Sequence, residues 1–147
     1  YYRREIARSC GGHPKPGSPP EAECQKRSPM THLEGAAGKV PVFIAHGLQD
    51  ETVPIRQAVD SFNLLASADD RIDKEKRDFI DQNNTLPTDL RSRGDGLPEP
   101  VTGAFARAGA PVEMTLRSRA ATLVLYKGGH DMIYNATVEW LNGQRRR

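Results

Sequence analysis

An α/β fold is what the sequence predicts, with parallel strands flanked by helices. Three observations predict it. Two apolar runs, 40–45 and 123–126, are rich in aliphatic and β-branched residues, and each leads into a glycine-containing turn. The first is followed by Ile55, Ala58, Val59, Phe62, Leu65 and Ala66 at helical spacing, so strand, loop and helix come in order. Each run also delivers a chemically capable side chain just past its end, Asp50 after the first and His130 after the second. Loops at the C-terminal ends of strands are where α/β sheets carry their chemistry.

Taken in chain order, residues 1–38 form a loop-rich segment of little periodicity. The stretch 11–20 is too rich in Gly and Pro for helix or central strand, and a short helix is expected over 21–26. Residues 39–68 hold the first strand and its helix, with Pro54 at a tolerated first-turn position. Residues 69–100 are a charged excursion. Acidic residues lead and basic ones follow, with Ile72, Phe79 and Ile80 on one side, and Asn83, Asn84 and Pro87 as stop signals. The remainder of the excursion, 91–100, is polar and turn-forming. The segment reads as a solvated insertion, with a lid as the sharper alternative. Residues 101–147 carry the end of a short helix near 105–109 and an alternating, half-exposed strand over 112–117. A hairpin turn or bulge follows at 117–121, then the second apolar strand and a final helix over 134–141. Ile133, Thr137, Trp140 and Leu141 line one face of that helix, and Asn142-Gly143 stops it. Arg145-Arg146-Arg147 reads as a frayed basic tail.

Composition narrows the function classes. The chain has 147 residues, of which 37% are hydrophobic, and a net charge of +2. The length suits one domain, and the mean hydropathy of -0.64 implies long polar segments around a modest core. No basic face interleaved with aromatics appears, so nucleic acid is not an expected partner. No apolar run approaches the roughly 18–20 residues a membrane span needs. The opening Tyr1-Tyr2-Arg3-Arg4-Glu5 resembles neither a methionine start nor a signal peptide, and reads as a cut inside a longer chain. Cys10 and Cys24 lie close together in the Pro/Gly-rich segment. A disulfide is expected, and with it a secreted or periplasmic location; two free thiols are the alternative.

Asp50 and His130 are the candidate catalytic acid and base. A carboxylate on one imidazole nitrogen fixes the tautomer, which leaves the other nitrogen to take a proton from a nucleophile. Glu51 and Asp131 flank these positions as alternative partners, and Asp50 could instead cap the helix that follows. His46 reads as structural, at a strand end beside Gly47. His13 and His32 read as surface residues. Cys10, His13, Cys24 and His32 lack paired metal-ligand spacing, so no metal is expected. Ser9, in Ala7-Arg8-Ser9-Cys10-Gly11, superficially fits a nucleophile elbow. It is preceded by no apolar strand and followed by Gly and Pro, so it is set aside.

At these motifs the chain resembles the C-terminal part of the catalytic domain of prolyl-oligopeptidase-like serine hydrolases, in the α/β-hydrolase superfamily. His46 through Pro54 match the family's H-G-x-x-D-x-x-V-P acid turn, and Gly128-Gly129-His130 match its histidine turn. A weaker match is Gly11-Gly12-His13-Pro14 followed by Arg27-Ser28-Pro29. The resemblance covers roughly 10–68 and 120–142. It implies an α/β-hydrolase sheet that is incomplete in this chain. It also implies a Ser-Asp-His mechanism on peptide or ester substrates without a metal or cofactor, with the aspartate at Asp50 and the base at His130. The serine and oxyanion-hole segments precede this region in the family. The nucleophile is therefore expected outside the chain, and the upstream segment of the same domain is the expected partner. A non-catalytic binding or scaffold protein that retains the strands is the alternative. The excursion at 69–100 is longer and more charged than the family needs.

Overall fold

The structure is a computed structural model that describes residues 2–92 and 95–144. The expected basic tail at 145–147, Tyr1 and the 93–94 pair of the excursion lie outside the described residues. The chain separates into two compact units, one ending at Ala36 and the other beginning at Ala37, where a single domain was expected.

The first unit is more helical than its sequence suggested. Helices α1 (Tyr2–Ser9), α2 (Pro19–Arg27) and α3 (Met30–Ala36) occupy the stretch read as loop-rich. The Gly/Pro run stays irregular between α1 and α2. Ser18 then starts α2 by accepting the Glu21 N–H, with prolines in the first helical positions. The helix expected over 21–26 is α2, and α1 and α3, short and weakly apolar, were not expected. A disulfide joins Cys10, just past α1, to Cys24 within α2, with Cα atoms 5.1 Å apart. The expected pairing is therefore borne out. It crosslinks helices rather than an open loop.

The second unit is built on a three-stranded mixed sheet of β1 (Val42–Gly47), β2 (Val112–Ser118) and β3 (Ala121–Tyr126), in the order β1-β3-β2. β1 and β3 are parallel, in register from Val42 opposite Ala121 to Gly47 opposite Tyr126. β2 runs antiparallel to β3, as the hairpin reading of 117–121 implied, and the expected parallel pairing is that of β1 with β3. The turn joining β2 to β3 is a hairpin, with Arg119 at φ 51°. All six residues of β3 are buried, as a continuous apolar run between two helix layers should be.

One helix layer comprises α4 (Arg56–Leu65) and α5 (Lys74–Asn83); the other comprises α6 (Glu99–Arg107) and α7 (Tyr134–Asn142). α4 packs on β1, β3 and α5. Its expected apolar face is inside, with Ile55, Ala58, Val59, Phe62, Leu65 and Ala66 all buried. The helix itself begins at Arg56, after Pro54 and Ile55. On the opposite face, Val101, Ala104 and Phe105 of α6 and Ala136 and Trp140 of α7 pack with Val112, Val124 and Tyr126. Trp140 stacks on Phe43 of β1 at 5.0 Å between ring centroids. Leu141 is 56% exposed, and Ala136 takes the inward place it was expected to fill.

The excursion is integrated into this unit. Ile72, Ile80 and Leu86 are buried, while Phe79 faces outward. Asp73 caps α5 and Asn84 ends it in the left-handed conformation. Arg77 bonds Asp60 of α4, and Ser92 bonds the backbone of Thr115 on β2. The described part of the segment packs against α4 and the outer edge of β2, so it is not a detached insertion.

Candidate active site

Asp50 and His130 are brought together by the parallel pairing of β1 with β3. Because Gly47 lies opposite Tyr126, the loops after the two strands emerge side by side. They are then laced to each other. Leu48 N–H donates to the Tyr126 carbonyl, Gln49 N–H to the Gly128 carbonyl, and Gly128 N–H to the Gln49 side-chain oxygen. Gln49 also donates its amide to the Asn84 carbonyl at the end of α5. One residue thus ties both loops to the excursion. No sequence pattern marks Gln49, because all its partners are distant in the chain.

The glycines at this junction are needed for close approach. None of Gly47, Gly128 and Gly129 has a positive φ. A Cβ on Gly47 would sit 2.2 Å from the Gly129 carbonyl oxygen and 2.4 Å from that of Gly128. One on Gly128 would meet the Tyr126 ring at 2.8 Å. Tyr126 is 1% exposed and donates its hydroxyl to the Asp131 carbonyl, which closes the histidine turn from below. Burial, with the nearby charges of Asp131 and Asp50, raises the pKa of this phenol, so it stays a donor at neutral pH.

The carboxylate is well defined. Oδ1 of Asp50 accepts the backbone N–H groups of Thr52 at 2.8 Å and Val53 at 2.9 Å. Oδ2 lies 2.8 Å from Nδ1 of His130. Oδ1 thus orders the turn ahead of α4 rather than capping that helix, whose N-cap position is Ile55 with no side-chain cap, while Oδ2 takes the contact with His130. Burial works to raise the Asp50 pKa, but the Val53 N–H, the His130 ring, the Thr52 N–H and, whenever its ring is protonated, the charge of His46 outweigh it and hold it below the ordinary carboxylate range. The Asp50 side chain is 5% exposed, whereas that of His130 is 55% exposed. One end of the imidazole is therefore anchored in the protein, and the ring itself is open to solvent.

The other candidates fall apart from this pair. Glu51 and Asp131 are exposed on the two loops. His46, placed at the strand end as expected, directs Nδ1 to the Gly47 carbonyl oxygen and brings Nε2 to 3.6 Å from Asp50 Oδ2. That second contact is one the sequence reading missed. His13 and His32 are exposed, and His32 is bonded to the Lys26 carbonyl. Ser9 is the last residue of α1 and donates to the Ile6 carbonyl, so it lies on no strand-to-helix elbow. Among the described residues, no group of three or more His, Cys, Asp or Glu could hold a metal ion.

Chemically, the Asp50–His130 pair is an acid–base device. An anionic acceptor on Nδ1 fixes the proton there and leaves Nε2 as the basic nitrogen. It also stabilises the imidazolium that forms when Nε2 takes a proton. No protein-family model, curated protein or solved structure matches the chain.

Proposed function

We propose that this chain supplies the acid and the base of a serine hydrolase acting on peptide or ester bonds, with the nucleophile on a segment outside it. The observation that carries the reading is the 2.8 Å contact between Asp50 Oδ2 and Nδ1 of an otherwise open His130. In this reading Nε2 of His130 removes a proton from a serine hydroxyl as it attacks the substrate carbonyl. His130 then returns the proton to the leaving group, while Asp50 stabilises the intermediate imidazolium.

A nucleophile-bearing segment of this kind would pair at the edge of β1. In a parallel ladder, alternate residues bond to the neighbouring strand. Val42 and Leu48 N–H groups bond the β3 side, so the backbones of Phe43 and Ala45 face the opposite, open edge of β1. A further strand added there would extend the sheet toward a complete α/β-hydrolase core and bring its own C-terminal loop beside His130. The Cys10–Cys24 disulfide suits a protein that works in an oxidising compartment, and secretion or periplasmic export is part of this proposal.

A fluorophosphonate probe tests the assignment. Applied to the product of the complete open reading frame, it is expected to label one serine outside residues 1–147, and labelling should be lost in Asp50→Asn and His130→Ala. A label on a serine within 1–147, or none at all, would overturn the proposal.

A further inference from the structure

The Asp50 carboxylate has a second imidazole at its other flank. Nε2 of His46 lies 3.6 Å from Oδ2, the same oxygen that accepts from His130. The ring is held in place, with its side chain only 11% exposed. Nδ1 is 2.9 Å from the Gly47 carbonyl oxygen. A carbonyl only accepts, so the proton sits on Nδ1, and Nε2 of the neutral ring carries a lone pair. That nitrogen is buried and has no hydrogen-bond partner. At 3.6 Å it is beyond a hydrogen bond and within reach of an ion pair. In the neutral state, two electron-rich atoms face each other. A proton on Nε2 would turn that opposition into an attraction.

We infer that His46 is a positioning residue for the Asp50–His130 pair, acting through Oδ2. The charge on its Nε2 sets how strongly that oxygen holds His130. With Nε2 bare, Oδ2 accepts from His130 alone. With Nε2 protonated by a proton from solvent, a second donor draws on the same oxygen and the hold on His130 weakens. The catalytic consequence of this inference rests on the hydrolase reading above; the coupling itself does not.

The surroundings leave these three groups to act on one another. β3 presents Leu125 opposite His46. The charges of α4 are engaged elsewhere, Arg56 with Asp81 and Asp60 with Arg77 of α5. The Tyr126 hydroxyl is committed to the Asp131 carbonyl, and the carboxylates of Glu51 and Asp131 are on exposed residues of the two loops. Sharing one oxygen, each imidazole is expected on this inference to register the protonation of the other.

Long-range proton–nitrogen correlation spectra of the imidazoles of the 147-residue chain, recorded across pH, test this directly. In the wild type, the His130 ring resonances should move in two steps, one coinciding with the protonation of His46. In His46→Gln, whose amide does not titrate, the second step should be lost. Superimposable His130 curves in the wild type and a folded His46→Gln would overturn the inference. Should that variant fail to fold, the wild type decides by itself: a His130 curve with no inflection where His46 titrates would overturn it. Coupled titration alongside failed fluorophosphonate labelling would sink the hydrolase reading and leave this inference standing. Uncoupled titration with normal labelling would do the reverse.

Discussion

A single carboxylate does three jobs at Asp50. One oxygen orders the turn leading to α4 through two backbone N–H groups, and the other holds His130 and faces His46. Its pKa is lowered in the folded protein. Relative to an unfolded chain titrating near pH 4, the ionised carboxylate stabilises the fold at all higher pH. That contribution disappears as pH falls through the lowered folded value. Asp50→Asn should therefore cost about 2 kcal/mol at neutral pH. The difference from wild type should persist down to about pH 4 and shrink below it. Urea unfolding of both proteins over a pH series checks the sign; a gap that widened on acidification would be inconsistent with a lowered Asp50. Asp50 and His130 were legible as residues because each follows an apolar strand run. That one oxygen orders the turn while the other meets His130 was not, since a one-dimensional pattern does not separate the two oxygens of a carboxylate.

Among the elements, the strand ends decide the site. β1 and α4 were readable from a continuous apolar run and a six-residue helical face that packs against the sheet, although β1, at the sheet edge, is only partly buried. The direction of β2 was readable only as one of two alternatives, a hairpin or a bulge at 117–121. A half-exposed strand has the same alternation whether it runs parallel or antiparallel, and only the hairpin at Arg119 fixes it. α1 and α3 were missed because little apolar surface drives them; helix α3 has no buried residue. The role of α5 was misread from its charge, because its ion pairs face α4 rather than only water. The loops after β1 and β3 pack glycine against backbone, with no room for a methyl group. Gly47→Ala should destabilise the second unit by about 3 kcal/mol, since the opposing atoms are carbonyl oxygens rather than a movable side chain. It should also part the two loops. Urea denaturation measures the first effect, and loss of the coupling between the Asp50 and His130 resonances measures the second. A fully stable Gly47→Ala would mean that the loops are less tightly apposed than described.

The whole molecule combines a disulfide-clasped helical unit with a layered α/β unit. The disulfide links residues 14 apart, and a loop of this size is worth about 3 kcal/mol against the unfolded chain. For a unit of short, weakly apolar helices that is a large share of the stability available. Cys10→Ser with Cys24→Ser should therefore abolish helical protection of residues 2–36 in hydrogen exchange while the sheet of the second unit stays protected. Equal protection with and without the disulfide would show that helix packing suffices. In the proposed reading the nucleophile lies on a segment outside this chain, so the 147-residue chain by itself should show no His130-dependent ester hydrolysis. The measurement that tests the central claim most directly is kcat for p-nitrophenyl acetate hydrolysis by the product of the complete open reading frame, wild type against His130→Ala. A working Asp50–His130 pair predicts a fall of about 10³–10⁴-fold or more, as loss of a triad member brings. Hydrolysis undiminished in His130→Ala would contradict it.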